Sequence, residues 1–230
     1  MKIAIMQPYF FPYIGYFQLI NAVDKFVIYD DVNFIKNGWI NRNRILINGK
    51  DNYLTVHLKD ASSFKLINNV NFTGNRNKLI KTIQQTYIKA PYFKDVYSII
   101  EKVLTYECNL ISELAHKSIV EVLAYLNIDT EIIVSSEKLN YTKNYKNQER
   151  IIAICKELGA THYINANGGQ ELYNKEIFAN EGIELNFIKS QEIKYKQFNN
   201  EFISWLSIID VLMFNSKETV RQMLSMHELV

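Results

Sequence analysis

The first thirty residues constrain the fold more than any other part of the chain. Lys2–Met6 (KIAIM) is a short apolar run halted by Gln7-Pro8, the pattern of a buried strand ending in a turn. Residues 15–23 (GYFQLINAV) carry Phe17, Leu19, Ile20 and Val23 at helical spacing. Asp24 then leads into residues 25–29 (KFVIY), a second strand rich in β-branched and aromatic side chains. Strand, helix and strand in so short a span form a βαβ unit, with parallel strands and a right-handed crossover. Ligands of open α/β sheets bind at the carboxyl ends of such strands. The loops there are residues 7–15 and 30–36.

The rest of the chain extends this pattern. Residues 40–47 and 53–58 predict a hairpin around Asn48-Gly49. Helices are expected over 78–90, 92–105 and 110–127, the first stopped by Ala90-Pro91. These helices form either an insertion or a subdomain. Glu131–Val134 predicts a strand, 148–158 a helix closed by Gly159, and 161–165 a further strand. A loop at 166–170, a helix at 172–181 and a strand at 185–188 follow. A largely apolar helix over 202–214, extended through 219–226, closes the chain. The sum is one α/β domain over residues 1–230, a Rossmann-like parallel sheet with a helical insertion at 78–127.

Composition narrows the classes. Hydrophobic residues make up 48% and charged residues 22% of 230 residues, enough for a sizeable core. The net charge of +2 is too small for a general nucleic-acid binder, and the basic residues are spread out apart from 36–44. Cys108 and Cys155 lack Cys-x-x-Cys spacing, and the four histidines form no His-x-x-x-His pair, so no structural zinc is expected. No uncharged apolar run is long enough to span a membrane. Residues 1–29 are interrupted by Gln7, Pro8, Pro12 and Gly15, unlike a signal peptide, so a cytoplasmic location is expected.

Five segments could carry chemistry. In Gln7-Pro8-Tyr9 through Gly15-Tyr16, two prolines preshape a loop and Gly15 allows close approach at a helix start, where free N–H groups favour an anion. Asp30-Asp31 follows the second strand; the pair suits Mg²⁺, a sugar hydroxyl or a general base, or equally a turn in which Asp31 pairs with an arginine. Lys36, Trp39, Asn41, Arg42 and Arg44 combine cations with a stacking ring, which suits phosphate or carboxylate capture, or a solvated basic edge. Asn165, Gly168, Gly169 and Tyr173 form a second βα loop, able to cradle phosphate or to pack tightly. Gln197, Ser207, Asp210 and Asn215 lie in or near the last helix, as a site or as a buried polar network. No nucleophile with an adjacent base stands out.

Two resemblances follow from these residues. Tyr13-Ile-Gly-Tyr16 and Val23-Asp24 are placed like the motif of pantetheine-phosphate and pantothenate-type nucleotidylyltransferases, with tyrosine where both phosphate-stabilising histidines would stand. Over nearly the whole chain the sequence resembles the WbqC-like family. The likeness is carried by Gln-Pro-Tyr-Phe-x-Pro-x-x-Gly-Tyr-Phe at the start, by Asp24 through Lys36, by Trp39-Ile-Asn-Arg-Asn-Arg-Ile45, by Leu158 through Asn165 and Gly168 through Tyr173, and by Phe202 through Asn215. The glycine loop reads Asn-Ala-Asn-Gly-Gly where that family would suggest Ser-Gly-x.

This second resemblance implies a role in O-antigen or other surface-polysaccharide biosynthesis. The implied reaction is transfer of a glycyl or other (amino)acyl group to the amine of a nucleotide-linked amino sugar. Residues 7–16 would then bind the nucleotide phosphates, Lys36, Arg42 and Arg44 would clamp phosphate or carboxylate, and Asp30 or Asp31 would take the amine proton. The donor would be an amino acid activated by ATP and Mg²⁺, or an aminoacyl-tRNA. A nucleotidylyltransferase-like enzyme and a non-catalytic glycan-assembly partner are the alternatives.

Overall fold

The computed structural model describes residues 1–74 and 76–230. Ten strands and nine α-helices alternate along the described chain: β1 (Lys2–Met6), α1 (Ile14–Asn21), β2 (Lys25–Ile28), β3 (Arg42–Ile47), β4 (Lys50–Thr55), β5 (Leu58–Lys59), β6 (Asn71–Phe72), α2 (Asn77–Tyr87), α3 (Phe93–Leu104), α4 (Ile111–Leu126), β7 (Glu131–Val134), α5 (Ser135–Lys138), α6 (Asn147–Glu157), β8 (His162–Ala166), α7 (Lys175–Asn180), β9 (Glu184–Ser190), α8 (Ile208–Phe214), α9 (Lys217–Met223) and β10 (His227–Leu229). Six strands form the main sheet in the order β10-β9-β8-β1-β2-β7. All its pairings are parallel except β10 against β9. The five parallel strands thus follow the 3-2-1-4-5 arrangement of a Rossmann-like sheet.

Period-two alternation sorts side chains between two cores. Ala4, Phe26, Ile28, Ile164 and Ile188 point to the face covered by α1 and α4. Ile3, Ile5, Val27, Tyr163, Leu185 and Phe187 point to the face covered by α6 and α7. Burying each such Ile or Phe contributes about 1.5–3 kcal/mol. The long β2–β7 crossover holds the β3–β4 hairpin, the β5–β6 pair and α2–α4. Ile83, Tyr87, Ile100 and Val103 of α2 and α3 share one apolar cluster with Phe17, Ile209 and Leu212. Cys155 is buried and Cys108 half-buried, both free. Among the described residues, no helix is long and apolar enough to cross a membrane.

Local differences from the sequence reading have local causes. The hairpin strands are Arg42–Ile47 and Lys50–Thr55, shifted because Asn48 (φ 52°) and Gly49 (φ 74°) both adopt the left-handed conformation of a tight two-residue turn. The helix expected over 172–181 starts at Lys175, where Asn174 accepts hydrogen bonds from Glu176 and Ile177; a 3₁₀ turn occupies Asn167–Leu172. The long closing helix is two short ones. Trp205 has φ 60°, and the Ser207 side chain caps the start of α8. Ser216 caps α9. The final strand β10 was not expected, since three residues carry too little pattern to be read.

Candidate functional site

A crevice forms where neighbouring parallel strands send their chains to opposite faces of a sheet. Here β1 leads to α1 on one face, and its neighbour β8 leads to α7 on the other. A cleft of about 840 Å³ opens at this carboxyl edge. Tyr29 and Val32, after β2, line one side. Leu172, Tyr173 and Asn174, after β8, line another, and the start of α6 supplies a third. Strands β2 and β8 flank β1, so the two loops come from either side of the central strand.

Arg150, in the first turn of α6, holds the cleft together. It is only 5% exposed. Its Nη2 donates to Asp31 Oδ2 (2.6 Å), its Nε to Thr142 Oγ1 (3.2 Å), and its guanidinium lies 4.7 Å from the centre of the Tyr29 ring. The Asn174 N–H donates to Gln148 Oε1 (3.3 Å), tying the β8 loop to α6. Burial pushes the Tyr29 phenol up to about 12 despite the opposing pull of Arg150, and burial also raises Tyr173. Both phenols therefore stay protonated at neutral pH and can donate hydrogen bonds. No side chain caps the start of α6, so its first N–H groups, the helix dipole and Lys146 favour an anion there, while Glu149 in the first turn opposes them.

The loop after β1 is built differently. Phe10 and Phe11 are buried, and Phe11 takes φ 40°. Asn43 Nδ2 donates to the carbonyls of Phe10 (3.3 Å) and Phe11 (2.8 Å). Ser207 Oγ also donates to the Phe11 carbonyl (2.7 Å), while the Phe11 N–H donates to Ser118 Oγ (2.9 Å). Tyr16 is buried and donates to the Gln7 carbonyl (2.9 Å), with its ring 5.5 Å from that of Tyr9. Pro8 is buried beside a half-buried Gln7. At Gly15 a Cβ would come within 2.4 Å of the Tyr13 ring and 2.9 Å of Ser190 Oγ. The close approach at this glycine is thus made by the protein itself.

The other predicted residues are distributed as follows. Asp31 Oδ1 accepts from Ser135 Oγ (2.6 Å), and its second oxygen from Arg150. This is the arginine pairing that the sequence left open. Asp30 accepts from Ser136 N–H (3.0 Å) and Ser136 Oγ (2.7 Å). Asp30 also lines a separate depression of about 200 Å³ with His116 and Asn68. Burial lowers the pKa of His116, while Glu137 and Asp30 oppose that shift. Arg42 donates to the carbonyls of Asn37 and Gly38 and covers the Tyr53 ring at 4.4 Å. Arg44 pairs with Asp51 (2.9 Å) and donates to the Trp205 carbonyl (3.2 Å). Asn41 donates to the Val56 carbonyl (2.9 Å), and Trp39 lies 6.3 Å from the Tyr53 ring. Lys36 is exposed.

Asn165 is buried, and a Cβ on Gly169 would come within 2.5 Å of its Nδ2, so Gly169 serves tight packing. Gly168 faces open space. Tyr173 alone of that group lines the cleft. The last group forms a buried network. Asp210 accepts from Tyr87 Oη (2.7 Å), Tyr195 Oη (2.7 Å) and Gln197 Nε2 (2.8 Å), and burial raises its pKa. Ser207 is the cap of α8, so it does not share a helical face with Asp210; Asn215 Nδ2 closes that helix on the Val211 carbonyl (2.8 Å). Sequence reasoning missed Tyr29, Lys146, Gln148 and Arg150. Only their convergence in space marks them.

The profile of the WbqC-like protein family matches residues 7–222. An uncharacterized protein of Mycobacterium tuberculosis, Rv1507c, is 26% identical over 219 residues covering 92% of both chains. No solved structure matches. The family match begins at Gln7, the first residue of the packed loop after β1, and runs through the hairpin, both sides of the cleft and the Asp210 network: the chain belongs to the WbqC-like protein family.

Proposed function

We propose that the cleft beside α6 binds a nucleotide-linked amino sugar and that the protein transfers a glycyl or other aminoacyl group to the sugar amine, in surface-polysaccharide biosynthesis. The observation that supports this reading is the cleft itself. It lies at the carboxyl edge of a 3-2-1-4-5 sheet, with phenol rings on two sides and an uncapped helix start with Lys146 on the third. Tyr29 and Tyr173 suit stacking and hydrogen bonding to base or sugar, and the start of α6 suits the diphosphate. In the transfer, the sugar nitrogen attacks the acyl carbonyl. The new amide C–N bond forms, the bond to the activated donor breaks, and a carboxylate takes the amine proton. Glu149 and Glu171 line the cleft and replace Asp30 and Asp31 in that role, because the latter already accept from Ser135, Ser136 and Arg150. The donor is an aminoacyl adenylate formed with ATP and Mg²⁺, or an aminoacyl-tRNA.

Thermal denaturation against UDP, dTDP and their amino-sugar conjugates tests this reading. Ligand at one hundred times its Kd stabilises the native state by roughly 2.7 kcal/mol. A rise in Tm that is lost in Tyr173→Ala and weakened in Lys146→Ala supports the assignment. No rise with any nucleotide at millimolar concentration overturns it.

A further inference from the structure

The net charge of +2 hides a sharp partition. Between Asp31 and Asp95 the chain carries eleven lysines and arginines and only Asp51 and Asp60, a balance of +9. The rest of the chain therefore carries −7. The positive block comprises the β3–β4 hairpin, the β5–β6 pair, α2 and the first residues of α3, all within the β2–β7 crossover. Its eight lysines are all exposed. Among the described residues, Arg44 alone of the eleven cations has an acidic partner within ion-pair distance.

Four of these cations line two adjoining depressions. A depression of about 300 Å³ is lined by Lys36, Arg42 and His57, and a smaller one by His57, Arg76 and Lys78. The two share Thr55, Val56 and His57, and no acidic side chain lines either among the described residues. Aromatic side chains accompany the cations. The Arg42 guanidinium lies over Tyr53, which is 53% exposed, and the Arg76 guanidinium lies 4.9 Å from the centre of the Phe72 ring. Phe64 is 93% exposed and adjoins Lys65, whose carbonyl accepts from the Phe34 N–H (2.8 Å) at the start of the Lys36 loop. A stripe of unneutralised cations with open aromatic rings fits a strand of phosphates with unstacked bases. A purely ionic partner leaves the exposed Phe64 ring without a role.

We propose that this face of the crossover, from Lys36 through His57 to Lys78, binds single-stranded RNA, with its cations on the phosphates and Tyr53 and Phe64 against bases. The proposal does not rest on the reading of the cleft. RNA binding without any response to sugar nucleotides would sink that reading and leave this one standing.

Fluorescence anisotropy of a labelled single-stranded 12-mer RNA with the full chain is the test. Expected are binding at 50 mM salt that weakens steeply by 200 mM, a Kd raised roughly tenfold or more by Lys36→Glu/Lys78→Glu, and a salt slope lowered by about 0.7 per lost contact. Phe64→Ala/Tyr53→Ala should weaken binding by roughly thirtyfold or more while leaving the salt slope unchanged. Lys36→Gln/Lys59→Gln/Lys65→Gln repeats the charge test should the first variant melt early. Absent binding at 50 mM salt, or a Kd unmoved by the charge variants, overturns the proposal. So does tighter binding to heparin or to phosphatidylserine vesicles than to RNA, which would make the face a polyanion or membrane surface.

Discussion

In the loop after β1, Phe10 and Phe11 are buried, and Asn43, Ser118 and Ser207 bond to their backbone from three other parts of the chain. In the loop after β8, Leu172 is 70% exposed, and Tyr173 and Asn174 face open volume. Both loops end neighbouring parallel strands of one sheet. The first has the denser motif, yet its prolines, aromatics and glycine are used to join α1, the hairpin, α4 and α8. The second has the weaker motif and the cleft. A distinctive run of residue types thus marks a place where many elements meet, and a binding site is marked only by space with convergent polar groups around it.

Substitutions can break that contrast. Phe10→Ala should cost about 4 kcal/mol in urea unfolding, because a fully buried ring leaves a cavity at the junction. A cost under about 1 kcal/mol would return the loop to the list of ligand sites. Asp31→Ala should cost about 3 kcal/mol, since it strands the buried Arg150, and it should also abolish any nucleotide-induced rise in Tm by freeing the cleft wall. Retained nucleotide response would detach the ion pair from the site. Asn43→Ala should cost about 1–2 kcal/mol, because the Phe10 carbonyl loses its side-chain donor and the Phe11 carbonyl keeps only Ser207 Oγ, with the nucleotide response intact in the folded protein.

The smallest effect appears only in alkali. Burial raises Tyr16 well above the usual phenol range and Tyr29 to about 12. Between the ordinary value near 10 and these raised values, the unfolded chain loses phenol protons that the folded chain keeps. Stability is therefore fully present below about pH 10 and lost as the pH rises further. Absorbance at 295 nm should show Tyr29 ionising in the folded protein, a step missing in Tyr29→Phe, while Tyr16 ionises only with unfolding. If Tyr16 titrates in the folded state, the loop after β1 is open to solvent and the contrast fails.

Much of the architecture was legible in the residues. The βαβ opening, the parallel strands at 131–134 and 161–165, and the helices at 92–105 and 110–127 lie close to where apolar periodicity puts them. The reading failed where polar side chains redirect the backbone, at Ser207 and at Asn174, whereas the turn at Asn48-Gly49 lies where it was expected. Capping and left-handed residues act over two or three positions, too few for periodicity to register. The site was less legible. Of the residues singled out, Tyr173 lines the cleft, while Arg42, Arg44, Asp31, Ser207 and Asp210 have partners within the protein.

The sequence by itself determined the α/β class, the opening unit and the family, because alternation, helical spacing and shared motifs are local or linear properties. It also held the charge partition, which its total of +2 concealed. The tertiary structure alone decided which motif residues are spent internally and which face a cleft. Arg150 lies 119 residues from Asp31, and Ser207 lies 196 from Phe11. Whether a charge is buried with a partner or left open to a ligand depends on contacts across such distances, and no local pattern encodes them.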